Sequence, residues 1–466
     1  MNSNAPRTRV DTLIIGAGLT GLSAGYHLTK HGEQVIILEA ATRVGGAVGS
    51  VIEAGWLREL GPNSLMQTEA LAQLLSELDL SAETIEANPI AKKRFVAKNG
   101  HPVALPANPL ELLSSPLFSL GDLFHLAREP WIKPAKTEES IAQFVRRRLG
   151  QGFLDWAVDP FVSGVYAGDP NRLSARAAIP KIYAMEQENG SLIRAGIARM
   201  KAAKANPAPL TQPAKGKLLS FKKGLQTLTD ALACAITTSG KGEIHTNSPC
   251  SGIIPNADNS WTVHTELGDS FTCKNLILTV PAAVAARLLE PFDLALAEQL
   301  NPIEYPPIAS VVMGFNRDQV AHPLDGFGLL IPSKEHKQTL GVLFSSTLFP
   351  DRTPLGKVML TAFIGGRQKP QEAAEGTEDE ILGRVLRDLS PLLGIQGQPE
   401  FLRIQAWPRA IPQYELGYLT RIEAISTLAA RWPNLHLAGN WRGGIAVGDC
   451  LINGQKLAEQ LAATGA

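Results

Sequence analysis

The sequence predicts an α/β protein in which one domain is assembled from separated stretches of the chain. Three observations support this prediction: a strand, glycine-rich turn and helix at 10–30, an apolar strand at 34–40, and a second glycine-rich turn and helix start at 437–450. The middle of the chain mixes strand-like runs with helical patterns, which is typical of further α and β layers. A chain of 466 residues is long enough for roughly two to four domains.

The composition is that of a globular protein with no overall attraction to polyanions. Its 44 Lys and Arg balance its 44 Asp and Glu, so we expect no nucleic-acid partner. The four cysteines form no CxxC pair and the nine histidines do not cluster, which predicts a reduced compartment and no metal site. The short, polar N-terminal stretch and the lack of an apolar run of about 18 residues predict no signal peptide and no membrane span.

Gly16, Gly18 and Gly21 form a GxGxxG pattern between the first strand and the first helix. The first glycine allows a tight turn, the second lets a pyrophosphate approach the backbone, and the third lets helix and strand pack closely. The helix N-terminus offers free N–H groups and a positive dipole end. Glu39 ends the next strand about 20 residues on, where its carboxylate can accept both ribose hydroxyls. These features predict a Rossmann-type dinucleotide site, with NADP disfavoured by the acidic residue.

The residues after Glu39 favour FAD over NAD. Arg43, Gly45 and Gly46 would bring an arginine and a second glycine pair to the same pyrophosphate. Simple NAD dehydrogenases do not need this feature. Flavoproteins of the amine-oxidase type carry it as E-x(3)-R-x-GG, and this sequence matches that pattern.

Further blocks occur in order along nearly the whole chain. They are LGPNSL (60–65), PFVSGVYAGDPNRLSARAAIP (160–180), FKKGLQTL (221–228), LDGFGLLIPSKE (324–335), LGVLFSSTLFPDR (340–352), AIPQYELGY (410–418) and LAGNWRGGIAVGDC (437–450). Together they resemble the protoporphyrinogen oxidase family of FAD enzymes.

The resemblance implies a division into three domains. Residues 1–88, 217–290 and 407–466 would form a discontinuous FAD-binding domain, 89–216 a helical membrane-associated domain, and 291–406 a mixed-sheet substrate-binding domain. The Pro-, Ala- and Lys-rich stretch 201–217 has no periodicity and predicts an exposed linker.

In this family the C-terminal turn and helix face the flavin end of FAD, while the N-terminal turn holds the pyrophosphate. Motif and resemblance together assign cofactor contacts to Gly16, Gly18, Leu19, Thr20, Gly21, Glu39, Ala40, Arg43, Gly45, Gly46, Gly61, Pro62, Asn63, Ser64, Cys250, Trp407, Gly439, Asn440, Val447 and Gly448. Cys250 stands where the family usually has valine, so we expect a buried apolar residue rather than a reactive thiol.

The resemblance also implies a pocket for a flexible tetrapyrrole with carboxylate side chains. Arg94 matches the family's arginine that pairs with a propionate, for which a guanidinium offers a bidentate fork; a surface charge is the alternative. Leu330, Leu343 and Phe363 match the positions that sandwich the macrocycle, although each alone is also typical of a core. No acid–base pair stands out, so no catalytic residue is assigned and the flavin is expected to carry the chemistry.

The implied reaction is the oxygen-dependent, six-electron oxidation of protoporphyrinogen IX to protoporphyrin IX, with non-covalent FAD and release of hydrogen peroxide. Three alternatives stay open: oxidation of coproporphyrinogen III, another amine-oxidase-like reaction, and a flavoprotein scaffold without turnover. The leucine-rich segment 105–131 resembles the family's membrane-binding helices, and packing of this segment on its own core is the alternative. We therefore expect a cytoplasmic protein held peripherally on the inner face of the cell membrane. A homodimer and hand-over of product to a ferrochelatase are further expectations from the resemblance.

Overall fold

The computed structural model of the chain describes residues 8–205 and 216–465. Residues 1–7, which contribute to the expectation about a signal peptide, lie outside the described residues, as does 206–215 of the predicted linker. The start of that linker was predicted wrongly, because 201–205 continue the helix Leu192–Ala205. This helix is rich in Ala, Arg and Lys, which are strong helix formers.

A first sheet of seven strands forms the centre of the discontinuous domain. Its middle strand, Thr8–Ile15, lies parallel between Val35–Leu38 and Ser270–Leu278. The other strands are Gly242–His245, Cys250–Pro255, Trp261–Thr265 and Leu435–Leu437. The strands thus come from both ends and the middle of the chain, which confirms the predicted α/β class and its discontinuous assembly.

Helices cover both faces of the first sheet, which explains the continuous apolar runs at 13–15, 35–38 and 276–278 on its parallel strands. One face packs against the helices Leu19–Lys30, Gln226–Thr238 and Val447–Gly465. The other face packs against Ala282–Leu289, Leu294–Leu300 and Tyr418–Ala429.

A second sheet of seven strands has one face buried against the helix Glu378–Leu393. In spatial order its strands are Phe401–Trp407, Ile308–Asn316, Lys357–Gly365, Thr339–Leu343, Gly328–Leu330, Phe95–Lys98 and His101–Ala104. The last two correct the sequence analysis, which placed 89–104 in a helical segment. Asn99 and Gly100 both have positive φ (53° and 77°), so this Asn-Gly pair forms the tight turn of a β-hairpin.

The remaining elements surround these sheets. Most of the helical region after residue 105 consists of Pro109–Ser114, Leu120–Ala127, Ile141–Arg148, Gln151–Phe153, the π-helix Leu154–Val158, Asp159–Tyr166, Ala175–Ala178, Pro180–Asn189 and Leu192–Ala205. Two small sheets pair Ser50–Glu53 with Trp56–Glu59, and Leu218–Phe221 with Leu65–Met66 and Thr84–Glu86. The other helices are Glu69–Glu77, Ser345–Leu348 and Gln371–Ala374, with short 3₁₀ turns at Ser81–Glu83, Pro89–Lys92, Glu129–Trp131, Arg317–Gln319 and Ser333–Glu335. Within the described part of the chain, no helix is both long and apolar enough to cross a membrane.

Candidate active site

The first glycine-rich turn has the geometry that its sequence predicts. Gly16 has a φ of 106°, which side chains rarely adopt. A Cβ on Gly21 would lie 2.0 Å from the Gly16 carbonyl oxygen, so only glycine lets the helix pack against the turn. A Cβ on Gly18 would meet nothing within 4 Å, so the protein itself does not require glycine there. The open space over Gly18, at the start of the helix, fits a phosphate. Sequence reasoning missed Thr279, whose Oγ1 donates to the Gly16 carbonyl at 2.8 Å.

Glu39 lies next to this turn at the end of its strand. One carboxylate oxygen accepts the backbone N–H of Ala17 at 2.7 Å, and the other accepts that of Ala41 at 2.8 Å. The carboxylate is therefore fixed in orientation but half-exposed, and each oxygen retains a lone pair for a further donor. This arrangement fits recognition of two ribose hydroxyls.

The second glycine pair lies directly against the first turn. The N–H of Gly45 donates to the Ala17 carbonyl at 2.7 Å, and a Cβ on Gly46 would lie 3.3 Å from the Cα of Gly18. An approach of the Arg43 side chain to the pyrophosphate stays a prediction. Its guanidinium donates to the carbonyls of its own loop, including that of Val48 at 2.6 Å, because three carbonyls there turn inward. In this structure Arg43 holds the glycine pair in place.

The C-terminal helix brings the second glycine-rich turn to the first. A Cβ on Gly454 would lie 2.4 Å from the carbonyl oxygen of Thr20, so the helices Val447–Gly465 and Leu19–Lys30 are in close backbone contact. The Ser23 hydroxyl adds a hydrogen bond of 2.7 Å to the Leu451 carbonyl. Both helices therefore begin on the same side of the first sheet, and Gly448, like Gly18, faces open space.

Two stacked tyrosines hold the loop between Gly439 and this helix. The hydroxyl of Tyr414 donates to the Asn440 carbonyl at 2.6 Å and accepts the Gly444 N–H at 3.1 Å. Tyr418 stacks on Tyr414 and donates to the carbonyl of the fully buried Trp441 at 2.7 Å. Sequence reasoning missed both tyrosines, and the conspicuous AIPQYELGY block was the signal available for them.

Residues 60–64, called here the cofactor turn, pack on the second glycine pair. A Cβ on Gly61 would lie 2.2 Å from the Ala47 carbonyl oxygen, and Asn63 Nδ2 donates to the Gly61 carbonyl at 3.1 Å. Trp407 joins this group, because its indole N–H donates to the Leu60 carbonyl at 2.9 Å. The structure thus places Gly61, Pro62, Asn63, Ser64 and Trp407 beside the glycine-rich loops.

Cys250 lies further from these loops, at the start of its strand in the apolar core. Burial raises the pKa of its thiol to about 11, so the thiolate that reacts or binds metals is not favoured. Its segment reaches the ribose end of the site through Ser248, whose N–H donates to the Glu39 carbonyl at 2.8 Å. A contact with adenine stays a prediction.

The predicted substrate residues share one face of the second sheet. Leu330 pairs with Gly341, which pairs with Phe363, and Leu343 lies two residues beyond Gly341 on its strand. Directly paired residues project to the same side, as do residues two apart. These three side chains are half-buried, whereas their neighbours on the opposite face, such as Leu329, Val342 and Ala362, are buried. The same face continues towards Trp407, and we call it the substrate wall.

Arg94 stands at the edge of the substrate wall. It precedes the strand Phe95–Lys98 and is exposed, with its guanidinium carbon 5.3 Å from the ring centre of Phe327. Phe327 and Leu343 pack against the same small cluster of buried residues. Lys93 is paired with Asp325 at 2.6 Å, whereas no ion pair is found for Arg94 among the described residues. The Arg94 cation is therefore available to a carboxylate.

The helix Asp159–Tyr166 forms a second boundary of the substrate wall, which sequence reasoning did not assign. Phe161, Gly164 and Val165 lie on one face of this helix and are exposed. A Cβ on Gly164 would lie 2.6 Å from Cδ2 of Leu330. The available signal was the apolar i, i+4 spacing within FVSGV, which points to a helix face that must be covered by something.

Comparisons with known proteins agree with this geometry. Residues 19–462 match the family described as flavin containing amine oxidoreductase. Protoporphyrinogen oxidase 2 of Arabidopsis thaliana is 34% identical, over 96% of this chain and 92% of its own length. Coproporphyrinogen III oxidase of Bacillus subtilis (strain 168) is 27% identical, over 95% of this chain and 96% of its own length.

Among solved structures, a crystal structure from Exiguobacterium sp. 255-15, provisionally assigned as a protoporphyrinogen oxidase, covers 100% of both chains with a TM-score of 0.82. Its identity of 23% supports the fold alone. From the family match and the curated relatives, the chain belongs to the flavin containing amine oxidoreductase family, as an oxidoreductase related to the protoporphyrinogen oxidases.

Proposed function

We propose that the chain oxidises protoporphyrinogen IX to protoporphyrin IX with non-covalently bound FAD, using oxygen and releasing hydrogen peroxide. The observation that carries this proposal is the continuity of the substrate wall with the cofactor site. The wall runs from Leu330 and Phe363 to Trp407, and Trp407 is hydrogen-bonded to the cofactor turn at Leu60. A flexible tetrapyrrole bound on this wall would extend to the cofactor.

The residues of the chain bind and orient, and none is assigned as an acid or base. FAD, when bound, would accept the hydrogen equivalents and pass them to oxygen. Gly18 and the two helix N-termini would hold its phosphates, and Glu39 its ribose. The substrate wall would exclude water from one side of the tetrapyrrole, and Arg94 would fix a propionate with its guanidinium fork.

The test compares two substrates in air. Purified protein with a flavin spectrum is given protoporphyrinogen IX or coproporphyrinogen III, and porphyrin fluorescence is followed against a no-enzyme control. Faster turnover of protoporphyrinogen supports the proposal. Preference for coproporphyrinogen III would make that compound the substrate instead. If neither porphyrinogen reduces the bound flavin in the absence of oxygen, the chain is a different enzyme or a scaffold.

Arg94 provides a sharper test because the chain offers a matched control. We expect Arg94→Ala to raise KM about tenfold while leaving FAD affinity unchanged, since it removes one ion pair worth roughly 1.4 kcal/mol. Lys92→Ala removes an exposed cation two residues away, for which the described part of the chain shows no ion pair, and should change neither value. Equal loss of FAD from the Arg94 variant would show that Arg94 is structural.

We also propose that the protein is cytoplasmic and binds peripherally to the inner face of the cell membrane. Supporting this, Leu120, Phe124 and Trp131 are 86%, 66% and 76% exposed, and Leu110 and Leu113 extend the same segment. Exposed apolar clusters of this kind bind lipid surfaces or partners. A homodimer and product hand-over to a ferrochelatase complete the proposal and rest on the resemblance alone.

Membrane binding is tested by sedimentation with liposomes. We expect Leu120→Glu combined with Phe124→Glu to abolish co-sedimentation. Leu355→Glu is the control, because Leu355 is fully exposed on a loop of the second sheet and lies outside the proposed surface. Equal pelleting of all three proteins would remove the membrane proposal and leave the enzymatic one unaffected.

A further inference from the structure

A buried ion pair lies directly beside the cofactor turn. Arg352 Nη1 donates to the Glu59 carboxylate at 2.9 Å, and both side chains are 4% exposed. The carboxylate also accepts the Ser50 hydroxyl and the Leu225 N–H, the latter at 3.1 Å. Arg352 Nη2 donates to the buried hydroxyl of Ser220 at 2.6 Å. The hydrogen bonds of the pair therefore join three segments of the chain: the two paired strands at 50–59, residues 220–225, and the connection that carries Arg352.

On one side, the network ends at the cofactor. Glu59 immediately precedes Leu60, whose N–H donates to the Gly49 carbonyl at 2.8 Å and whose carbonyl accepts the Trp407 indole. Any displacement of Glu59 moves the cofactor turn relative to the second glycine pair.

On the other side, the network ends at the substrate wall. Arg352 lies on the connection between the strand Thr339–Leu343 and the strand Lys357–Gly365. Its guanidinium carbon is 5.2 Å from the ring centre of Phe349, and Phe349 belongs to the buried cluster on which Leu343 and Phe327 pack. Arg352 thus supports, through Phe349, the cluster on which Leu343 of the substrate wall and Phe327 both pack.

We propose that Glu59 and Arg352 are positioning residues that fix the distance between the cofactor turn and the substrate wall. A buried ion pair is a poor source of stability, because well-packed apolar residues can often replace it without loss. Its hydrogen bonds are directional, however, and apolar packing does not reproduce them. A displacement of about 1 Å between reacting groups can lower a rate about a hundredfold. The kinetic part of this inference rests on the proposed function, whereas its FAD-binding part rests on the cofactor site.

The experiment separates positioning from stability. The variants are Arg352→Met, the double variant Glu59→Gln with Arg352→Met, and Arg352→Lys. The control is Arg403→Met. Arg403 forms an exposed ion pair with Glu53 and so joins the paired strands Ser50–Glu53 and Trp56–Glu59, which carry Glu59, to the second sheet. For each, the thermal midpoint of the apoprotein, the FAD dissociation constant, the flavin absorption spectrum, and kcat and KM for protoporphyrinogen IX are measured.

We expect Arg352→Met to lower the thermal midpoint, because it leaves a buried carboxylate unpaired. The double variant should recover the midpoint but keep a kcat at least about tenfold below that of the parent protein, with a much smaller change in KM. Arg403→Met should resemble the parent protein in every readout. A double variant that recovers both midpoint and kcat would show that the pair is only structural and overturn the inference.

Arg352→Lys keeps the inference testable if the other variants fail to fold. Lysine retains the charge facing Glu59 but cannot reach Glu59 and Ser220 together as a planar fork does. We expect a normal midpoint with weaker FAD binding and lower kcat, and parent-like FAD binding would overturn the inference. If the parent protein oxidises no porphyrinogen, the proposed function fails. The FAD dissociation constants alone then still decide whether Glu59 and Arg352 are positioning residues.

Discussion

Gly18 and Gly21 should respond differently to alanine substitution, because Gly18 faces open space and Gly21 faces the protein. In Gly21→Ala the new Cβ would lie 2.0 Å from the Gly16 carbonyl oxygen, whereas real contacts essentially never fall below 3.0 Å. The turn and the helix must therefore separate by about 1 Å, and overpacking of this kind costs about 1–3 kcal/mol. We expect the apoprotein to lose stability by that amount and FAD to bind less tightly.

Gly18→Ala should leave the apoprotein unchanged. Its φ of −72° and ψ of 175° suit alanine, and the new Cβ meets no atom within 4 Å. Alanine restricts the unfolded chain, which stabilises by about 0.4–1 kcal/mol. It is also a poorer N-cap than glycine by a similar amount, so the two effects offset. The methyl group would fill the space expected for the phosphate, and we expect FAD affinity to fall at least about tenfold, or 1.4 kcal/mol.

The assay uses apoprotein prepared by removing the flavin. Thermal unfolding at one fixed scan rate gives stability, and quenching of FAD fluorescence on titration gives the dissociation constant. If Gly18→Ala binds FAD as tightly as the parent protein, the pyrophosphate does not lie over Gly18, and the cofactor placement argued from the open space is wrong. An unchanged midpoint in Gly21→Ala would refute the steric argument.

Three further predictions follow from individual side chains. Tyr414→Phe removes the hydroxyl that joins Asn440 to Gly444, so FAD affinity should fall about tenfold. Tyr166→Phe is the control: the Tyr166 hydroxyl donates to the Ala178 carbonyl, away from this loop, so its loss should not change FAD affinity. Cys234 is exposed, whereas burial raises the pKa of Cys250 and Cys450 to about 11 and that of Cys273 to about 12. Native protein should therefore take up a single iodoacetamide at about pH 8, found at Cys234 by mass spectrometry. Burial lowers the pKa of His436 to about 4. Between about pH 4 and 6.5 the unfolded chain therefore binds more protons than the folded chain does. The free energy of unfolding should fall by at most about 3 kcal/mol as the pH is lowered through this window. Replacement by leucine should flatten this part of the pH–stability curve, and an unchanged curve would exclude His436 as its cause.

The sequence predicted the parts of the site that local backbone rules determine. Gly16, Gly18 and Gly21 follow from the demands of a tight turn and a close helix, and Glu39 follows from the position of the next strand end. These rules act over a few residues, so they can be read without knowing the fold. The Asn99–Gly100 hairpin follows the same kind of rule, and it was missed because residues 89–104 were grouped with the leucine-rich segment 105–131 that follows them.

The parts that could not be predicted depend on pairing between distant segments. The Trp407 indole meets Leu60, and Arg352 meets Glu59, across 347 and 293 residues of chain. No local pattern encodes which loop a tryptophan or an arginine will reach. The Arg43 motif predicts a ligand contact but could not predict that the guanidinium also donates to the inward carbonyls of its own loop.

The assembly of the predicted cofactor site from distant segments links FAD binding to folding. The predicted cofactor site combines residues 16–46, the cofactor turn and 439–448, and the contact between Gly454 and Thr20 packs the helix that follows 439–448 against the first helix. A ligand that binds all three segments binds only the folded chain, so it stabilises the native state by RT ln(1 + [L]/Kd), about 2.7 kcal/mol at a hundredfold excess over Kd. Because the last helix completes the predicted site, loss of its packing on the first helix should weaken FAD binding even though Gly454 itself is not among the predicted cofactor contacts. The glycines at the two ends of the chain therefore have different physical roles: Gly18 leaves room for the ligand, and Gly21 and Gly454 let backbones approach so that this room has a fixed shape.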